Sequence, residues 1–179
     1  KQLRTDYFIS SHHPINTSMN VSVFEADHTN VSRAIELMRL AFEQQRGFVD
    51  PEPGIYRKDS FKSLTSEVRK KEKRLVVALQ RQRLLGCVLC NPNQESDSDF
   101  YFGRLAVHPR YRGNGIAGQL LEEVESIARS EQFTGVTCFV RITLRKNIEF
   151  FENKGYEIYD TGIHPGYDEP TFYKMRKKL

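Results

Sequence analysis

Residues 105–121 read Leu-Ala-Val-His-Pro-Arg-Tyr-Arg-Gly-Asn-Gly-Ile-Ala-Gly-Gln-Leu-Leu. The pattern changes period halfway. Phe100, Phe102, Leu105 and Val107 form a β-rich run, and Pro109 ends it because proline has no N–H to give a ladder. Beyond Gly113 and Gly115, apolar residues recur at Ile116, Leu120, Val124 and Ile127, with Leu121 and Ala128 beside them. Steps of three and four are a helical period. The stretch therefore predicts strand, loop, helix. A helix begins with backbone N–H groups that have no intrahelical partner, at the positive end of its dipole. Glycine lets a bulky anion approach that backbone. Arg110 and Arg112 add cations whose planar fork suits phosphate oxygens. Residues 112–117 thus read as a cradle for a phosphate or pyrophosphate.

Three phosphate loops compete for this pattern. The P-loop fails, since no Gly-Lys-Ser/Thr follows the glycines. Gly113, Gly115 and Gly118 satisfy Gly-x-Gly-x-x-Gly. A dinucleotide-binding turn, however, follows its strand directly and comes early, whereas here His-Pro-Arg-Tyr-Arg intervenes. The third pattern is Arg112-x-x-Gly115-x-Ala117 after a strand ending Leu105-Ala106-Val107-x-Pro109. It resembles the acetyl-coenzyme A loop of the N-acetyltransferase (GNAT) family.

Composition sets the frame. The 179 residues are 39% hydrophobic and 28% charged, the balance of an ordinary globule. No apolar run approaches the roughly 20 residues of a membrane span, and the first residues hold no signal-peptide core. A net charge of +4 is too small to argue for nucleic acid. Much of the excess lies in Lys174, Arg176, Lys177 and Lys178, which read as a basic tail. The three cysteines, Cys87, Cys90 and Cys138, fit a reducing, cytoplasmic setting. Cys87 and Cys90 have metal spacing, but they fall in a strand-like run, where residues three apart face opposite ways. No metal is expected. Residues 1–18 read as an arm or an added extension, with Met19 a candidate natural start and 19–179 a single domain.

The remaining pattern supplies the order of elements. A short strand at Val21–Phe24 precedes capping oxygens at Asp27, Thr29 and Asn30. A helix from Val31 to Phe42 follows, with Gly47 a plausible stop. Phe48 to Tyr56 is a loop, and a second helix runs from Phe61 to about Lys71, capped by Asp59 or Ser60. Strands follow at Leu75–Leu79, Leu84–Cys90 and Phe100–Val107, then the central helix to Ser130. A strand around Val136–Ile142 alternates cleanly. A short helix from Asn147 to Lys154 ends at Gly155, and strands near Tyr156–Tyr159 and Thr171–Met175 close the chain.

That order, and the run Asn147-Ile-Glu-Phe-Phe-Glu-Asn-Lys-Gly-Tyr156, also resemble the GNAT family over roughly residues 20–178. The asparagine of that motif usually lies three positions earlier, where this chain has Leu144. The resemblance implies an α/β (α+β) fold with a mixed, mostly antiparallel sheet of six to seven strands. About four helices would flank it, with strands four and five splayed around the coenzyme. It implies acetyl-CoA as co-substrate, held by Arg110, Arg112, Gly113, Asn114, Gly115, Ile116, Ala117 and Gly118. Leu105, Ala106 and Val107 would lie along the pantetheine, with Asn147 and Phe150 nearby. An N–H of Leu105 or Ala106 would polarise the thioester carbonyl. Dimers are frequent among such relatives, and the arm could pack on a second copy.

Proton transfer departs from the family pattern. The usual tyrosine acid falls on Phe151, which has no proton to give. Tyr101, Tyr156, Tyr173 and His164 are possible substitutes, with Tyr101 the catalytic candidate beside Leu105; Asp97 or Asp99 could act as base through water. Two loops, Phe48–Tyr56 and Gly162–Thr171, are expected to recognise the acceptor amine through Asp50, Tyr56, Tyr167, Asp168 and Glu169. Carboxylates beside aromatic faces suit a cationic amine. Two functions stay open: an N-acetyltransferase acting on a primary amine of a small molecule or peptide, or a non-catalytic acyl-CoA sensor with a degenerate site.

Overall fold

A computed structural model describes residues 20–45 and 61–179. Among the described residues seven strands form one sheet: β1 (Ser22–Ala26), β2 (Arg74–Gln80), β3 (Arg83–Pro92), β4 (Asp99–Val107), β5 (Gly135–Arg141), β6 (Glu157–Gly162) and β7 (Phe172–Lys178), in the order β1-β2-β3-β4-β5-β7-β6. Among the described residues four α-helices accompany them: α1 (Val31–Phe42), α2 (Leu64–Arg69), α3 (Ile116–Ser130) and α4 (Arg145–Glu152). Every pairing is antiparallel except β4 with β5. Parallel neighbours need a crossover, and α3 lies in it. The fold is the one the family resemblance implies.

The sheet buries both faces, and the strand alternation decides which residue goes where. Val76, Val88, Phe100, Phe102, Val136, Cys138 and Val140 meet Ile116, Leu120 and Val124 of α3. Val77, Cys87 and Leu89 point the other way, toward Ala34, Met38, Leu64 and Val68 of α1 and α2. Cys90 belongs to the first cluster and Cys87 to the second, so the two thiols lie on opposite faces of β3. Gly86 lets α3 settle closely on β3, since a Cβ there would lie 2.9 Å from both Ile116 and Leu120. Among the described residues no helix is long and apolar enough to cross a membrane.

Several boundaries differ from the expected ones. Asp27 caps a short 3-10 turn at His28–Asn30, its carboxylate accepting from Thr29 N, while Asn30 precedes α1 without a side-chain cap. Residues 61–63 form a turn, so α2 begins only at Leu64; α4 starts two residues early, at Arg145. Gly47, Asp59, Ser60, the first loop and the arm lie outside the described residues.

The largest correction is at the end of the chain. The expected basic tail is the second half of β7, paired along the length of β5. Its cations have acid partners far away in sequence. Arg176 donates to both oxygens of Asp99, and Lys177 Nζ lies 2.8 Å from both oxygens of buried Glu125. Lys174 bridges Glu95 and Asp160. Gly135 leaves room for the Asp99–Arg176 pair, since a Cβ there would come within 2.5 Å of both. The tail is ordered because these charges are paired across the sheet.

Candidate active site

The sheet opens where β4 leaves β5. Their pairing covers only Asp99–Gly135, Phe100–Val136 and Tyr101–Thr137. Beyond Tyr101 the two strands part, and β5 continues against β7 instead. A bulge accompanies the separation. Opposite β3, Cys87 pairs with Ala106 and Leu89 with Gly103, so Arg104 and Leu105 together face Val88. The extra residue makes β4 bend. Arg104 takes the strain, with φ of 55°, a left-handed conformation costly for a residue with a Cβ. An isolated glycine inside a strand often marks such a bulge, and Gly103 is the sequence signal for it.

A cavity of about 1480 Å³ fills the opening. One end is the loop between β4 and α3. Pro109–Tyr111 form a 3-10 turn whose first N–H groups are partly met by His108: Arg110 N donates to His108 Nδ1 at 3.2 Å. Asn114 Nδ2 donates to the carbonyls of Tyr111 and Arg112, at 3.0 and 3.1 Å, so this side chain holds the loop closed. Gly113 and Gly115 have φ of 78° and 76°, and a Cβ on either would meet nothing within 4 Å. The backbone is bent in a way glycine alone adopts easily, and the space over it is open. The turn is thus open on the side from which an anion could approach its backbone. Arg112 Nη2 donates to the Ala41 carbonyl at 2.7 Å, tying the loop to the end of α1.

The structure brings most of the expected coenzyme residues to one cavity. Leu105, Ala106, Val107, Arg112, Gly113, Gly115, Ile116, Ala117, Gly118, Asn147 and Phe150 all line it, as does Tyr101. Arg110 is exposed beside it, and the Asn114 side chain turns into the loop. Gly118 has a use not visible in the sequence. The Lys154 ammonium sits 2.9 Å from where a Cβ would be. Lys154 therefore lies across the first turn of α3, where it adds a cation to the cradle. Arg145 and Lys146 line the same cavity. Leu144, not Asn147, stands at the N-terminus of α4, and Asn147 is one turn inside it.

The proton-transfer candidates separate by placement. Tyr156 is buried, with its hydroxyl 3.2 Å from Glu125, and lines no part of the cavity; its phenol is pushed strongly up by burial and by Glu125. Tyr173 packs against the core on the same face. Asp99 is buried with Arg176 at the far end of β4, and Asp97 is exposed in the preceding turn. None of these four is suited to the work expected of it. Tyr101 and His164 remain. The Tyr101 hydroxyl lies over Gly103, 2.7 Å from where its Cβ would be. Burial raises its pKa to about 12. His164 Nδ1 shares a 2.6 Å hydrogen bond with Thr171 Oγ1. Phe151 is buried against Phe102 and Tyr156, with one side on the cavity.

Tyr167, Asp168 and Glu169 lie in the turn between β6 and β7, outside the cavity lining. Asp50 and Tyr56 lie outside the described residues. Of the second loop, Ile163, His164 and Pro165 line the cavity, beside Arg104, Phe139, Arg141 and Phe172, which the sequence did not single out.

Comparison with known proteins agrees with this geometry. The profile of the acetyltransferase (GNAT) family matches residues 34–156. Among solved structures, the PaiA N-acetyltransferase of Thermoplasma acidophilum in complex with coenzyme A superposes with a TM-score of 0.74 at 18% identity, over 90% of this chain and 100% of that one. An aminoglycoside 6'-N-acetyltransferase complexed with coenzyme A gives 0.68 at 18% identity, over 88% and 96%. The ribosomal-protein-alanine N-acetyltransferase of Brucella melitensis gives 0.66 at 16%, over 88% and 99%.

Proposed function

The chain belongs to the acetyltransferase (GNAT) family, and from that premise we propose that it transfers an acetyl group from acetyl-CoA to a primary amine of a small molecule or peptide, by direct attack within a ternary complex. One observation carries the reading. A cavity runs through the gap between β4 and β5, lined by the glycine cradle, by the end of α1 that Arg112 ties to it, and by the start of the β6–β7 hairpin. Both reactants can meet in it without either crossing the sheet.

The residues divide the work. The backbone of 113–118 and the Lys154 ammonium receive the pyrophosphate, where dipole and charge act together. Leu105 to Val107 lie on the edge of β4 that β5 has left, so their backbone groups can pair with an extended amide chain as another strand would. An N–H of Leu105 or Ala106 on that edge polarises the thioester carbonyl; removing such a donor elsewhere costs about a hundred- to thousandfold in rate. When bound, acetyl-CoA supplies the activated acetyl carbon. Phe150 and Phe151 close the wall against water.

Tyr101 holds the proton. Its phenol is kept neutral by burial, up to about 12 from an ordinary 10.0. A raised folded value favours the protonated form. The stability this contributes is therefore fully present below pH about 10 and lost as the pH rises through about 12. At neutral pH Tyr101 is a donor and not a base. Tyr101→Phe should lower kcat about a hundredfold with the acetyl-CoA KM unchanged, and an unaltered kcat would remove it from the reaction.

The experiment for the function itself is thiol release from acetyl-CoA against a panel of primary amines, beside a thermal-shift titration with coenzyme A. Amine-dependent release is expected. Stabilisation by coenzyme A with no release on any amine would instead make the protein an acyl-CoA sensor, the reading that Phe151 favours.

A further inference from the structure

The glycine cradle contains a reactive pair. The chain has eight asparagines, and Asn114 alone is followed by glycine. The others precede threonine, valine, proline, glutamine, isoleucine or lysine. A glycine nitrogen has no side chain beside it, so it can reach back to the amide carbon of the residue before it. Asn114 and Gly115 are both exposed. Gly115 has φ of 76°, and a Cβ on it would meet nothing within 4 Å. Solvent therefore reaches the pair directly.

The place of the pair in the fold adds to this. Gln119 N donates to the Gly115 carbonyl at 3.1 Å, so Gly115 opens the ladder of α3. Its own N–H lies ahead of that ladder, among the groups that have no intrahelical partner. It stands at the positive end of the helix, which favours the nitrogen anion left when a proton departs. Asn114 Nδ2 donates to the carbonyls of Tyr111 and Arg112, at 3.0 and 3.1 Å. These are bonds between neutral groups at an exposed turn, so releasing them costs far less than breaking a buried network. They also define the task of the amide, which holds the turn closed as a donor. An ionised aspartate at 114 has no hydrogen to donate. It would set a negative charge against two carbonyl oxygens, in the turn that has to receive an anion.

We propose that Asn114–Gly115 is a site of spontaneous covalent modification that disables the coenzyme cradle, and that bound coenzyme protects it. Water is the only co-reactant. Hydroxide takes the Gly115 N–H proton. The nitrogen electron pair forms a bond to Asn114 Cγ, the Cγ–Nδ2 bond breaks, and ammonia leaves after taking a proton from water. Water then opens the cyclic imide at either carbonyl. One opening gives aspartate. The other gives isoaspartate, which adds a carbon to the main chain of the turn. With coenzyme bound, the pyrophosphate accepts from the N–H groups of this turn, so the Gly115 proton is held and a nearby negative charge disfavours its loss. The protection rests on the cradle reading above; the reaction of the pair does not.

Ageing the purified protein in mildly alkaline buffer tests it. Peptide mass spectrometry follows amide-to-acid conversion at each asparagine, and calorimetry follows coenzyme A binding. Asn114 should convert before any other asparagine, with isoaspartate among the products at 114. Affinity for coenzyme A should fall about ten- to hundredfold in the converted fraction. Coenzyme A at about ten times its Kd should slow the conversion about tenfold, since only the free protein reacts. Asn114→Asp should bind weakly from the outset, with thermal unfolding showing that it is folded. Asn114→Gln, whose longer side chain cyclises poorly, should keep its starting affinity through the ageing. Conversion at 114 no faster than elsewhere would overturn the site. Conversion that leaves affinity intact would overturn its consequence. Conversion at an equal rate in protein shown to hold coenzyme A would overturn the protection. Fresh protein that converts at 114 but binds no coenzyme A would overturn the cradle reading and leave the modification site standing.

Discussion

Gly115 meets two separate demands. Its φ of 76° lies in the left-handed region, and nothing occupies the space above it. A β-branched side chain there adds strain of about 1–2 kcal/mol as well as bulk. Asparagine tolerates the same backbone, so it separates the two effects. Gly115→Val should lose both stability and acetyl-CoA affinity. Gly115→Asn should keep most of its stability and still bind acetyl-CoA more weakly, because its Cβ stands where the pyrophosphate must approach. Denaturant unfolding beside calorimetric titration reads both quantities; unchanged affinity in Gly115→Asn would remove the cradle. At this scale the sequence was most legible where chemistry is local. Glycines, a proline and arginines within nine residues announce the loop. Lys154 was not legible, because only the fold brings the end of α4 onto Gly118.

Strands were readable where their two faces differ in partner. The alternation around Cys87-Val-Leu-Cys90 already separates the thiols, and the structure places them in different core clusters. All three cysteines are buried, and burial pushes their thiols up, Cys90 to about 12 and the others further. A thiol reagent should label none of them rapidly in the native protein and all three after unfolding. Rapid native labelling of two, or a Cys87–Cys90 disulfide, would contradict the opposite-face placement. Two features of the strands needed the whole sheet. The β4 bulge exists only as a mismatch in register with β3, although Gly103 hints at it. The end of β7 reads as a basic tail until Asp99, 77 residues away from Arg176, and Glu125, 52 away from Lys177, are seen beside it. The aromatic contacts of Phe139, Phe172 and His164 were not legible for the same reason: they form only when β5, β7 and the hairpin are assembled.

Across the whole molecule, one parting of strands organises the rest. Antiparallel pairing holds β1 to β4 on one side and β5, β7 and β6 on the other, and only three residue pairs join the two halves. Helix α3 covers one face and α1 with α2 the other, so the gap opens toward both. Acetyl-CoA is proposed to occupy this gap between β4 and β5. A crystal structure with coenzyme A bound tests it most directly. The pyrophosphate should lie against the backbone of residues 113–118 with Lys154 beside it, and the pantetheine should run along Leu105–Val107 with the sulfur near Tyr101. Coenzyme density anywhere other than between β4 and β5, or a pyrophosphate away from the Gly113–Gly115 turn, would contradict the account.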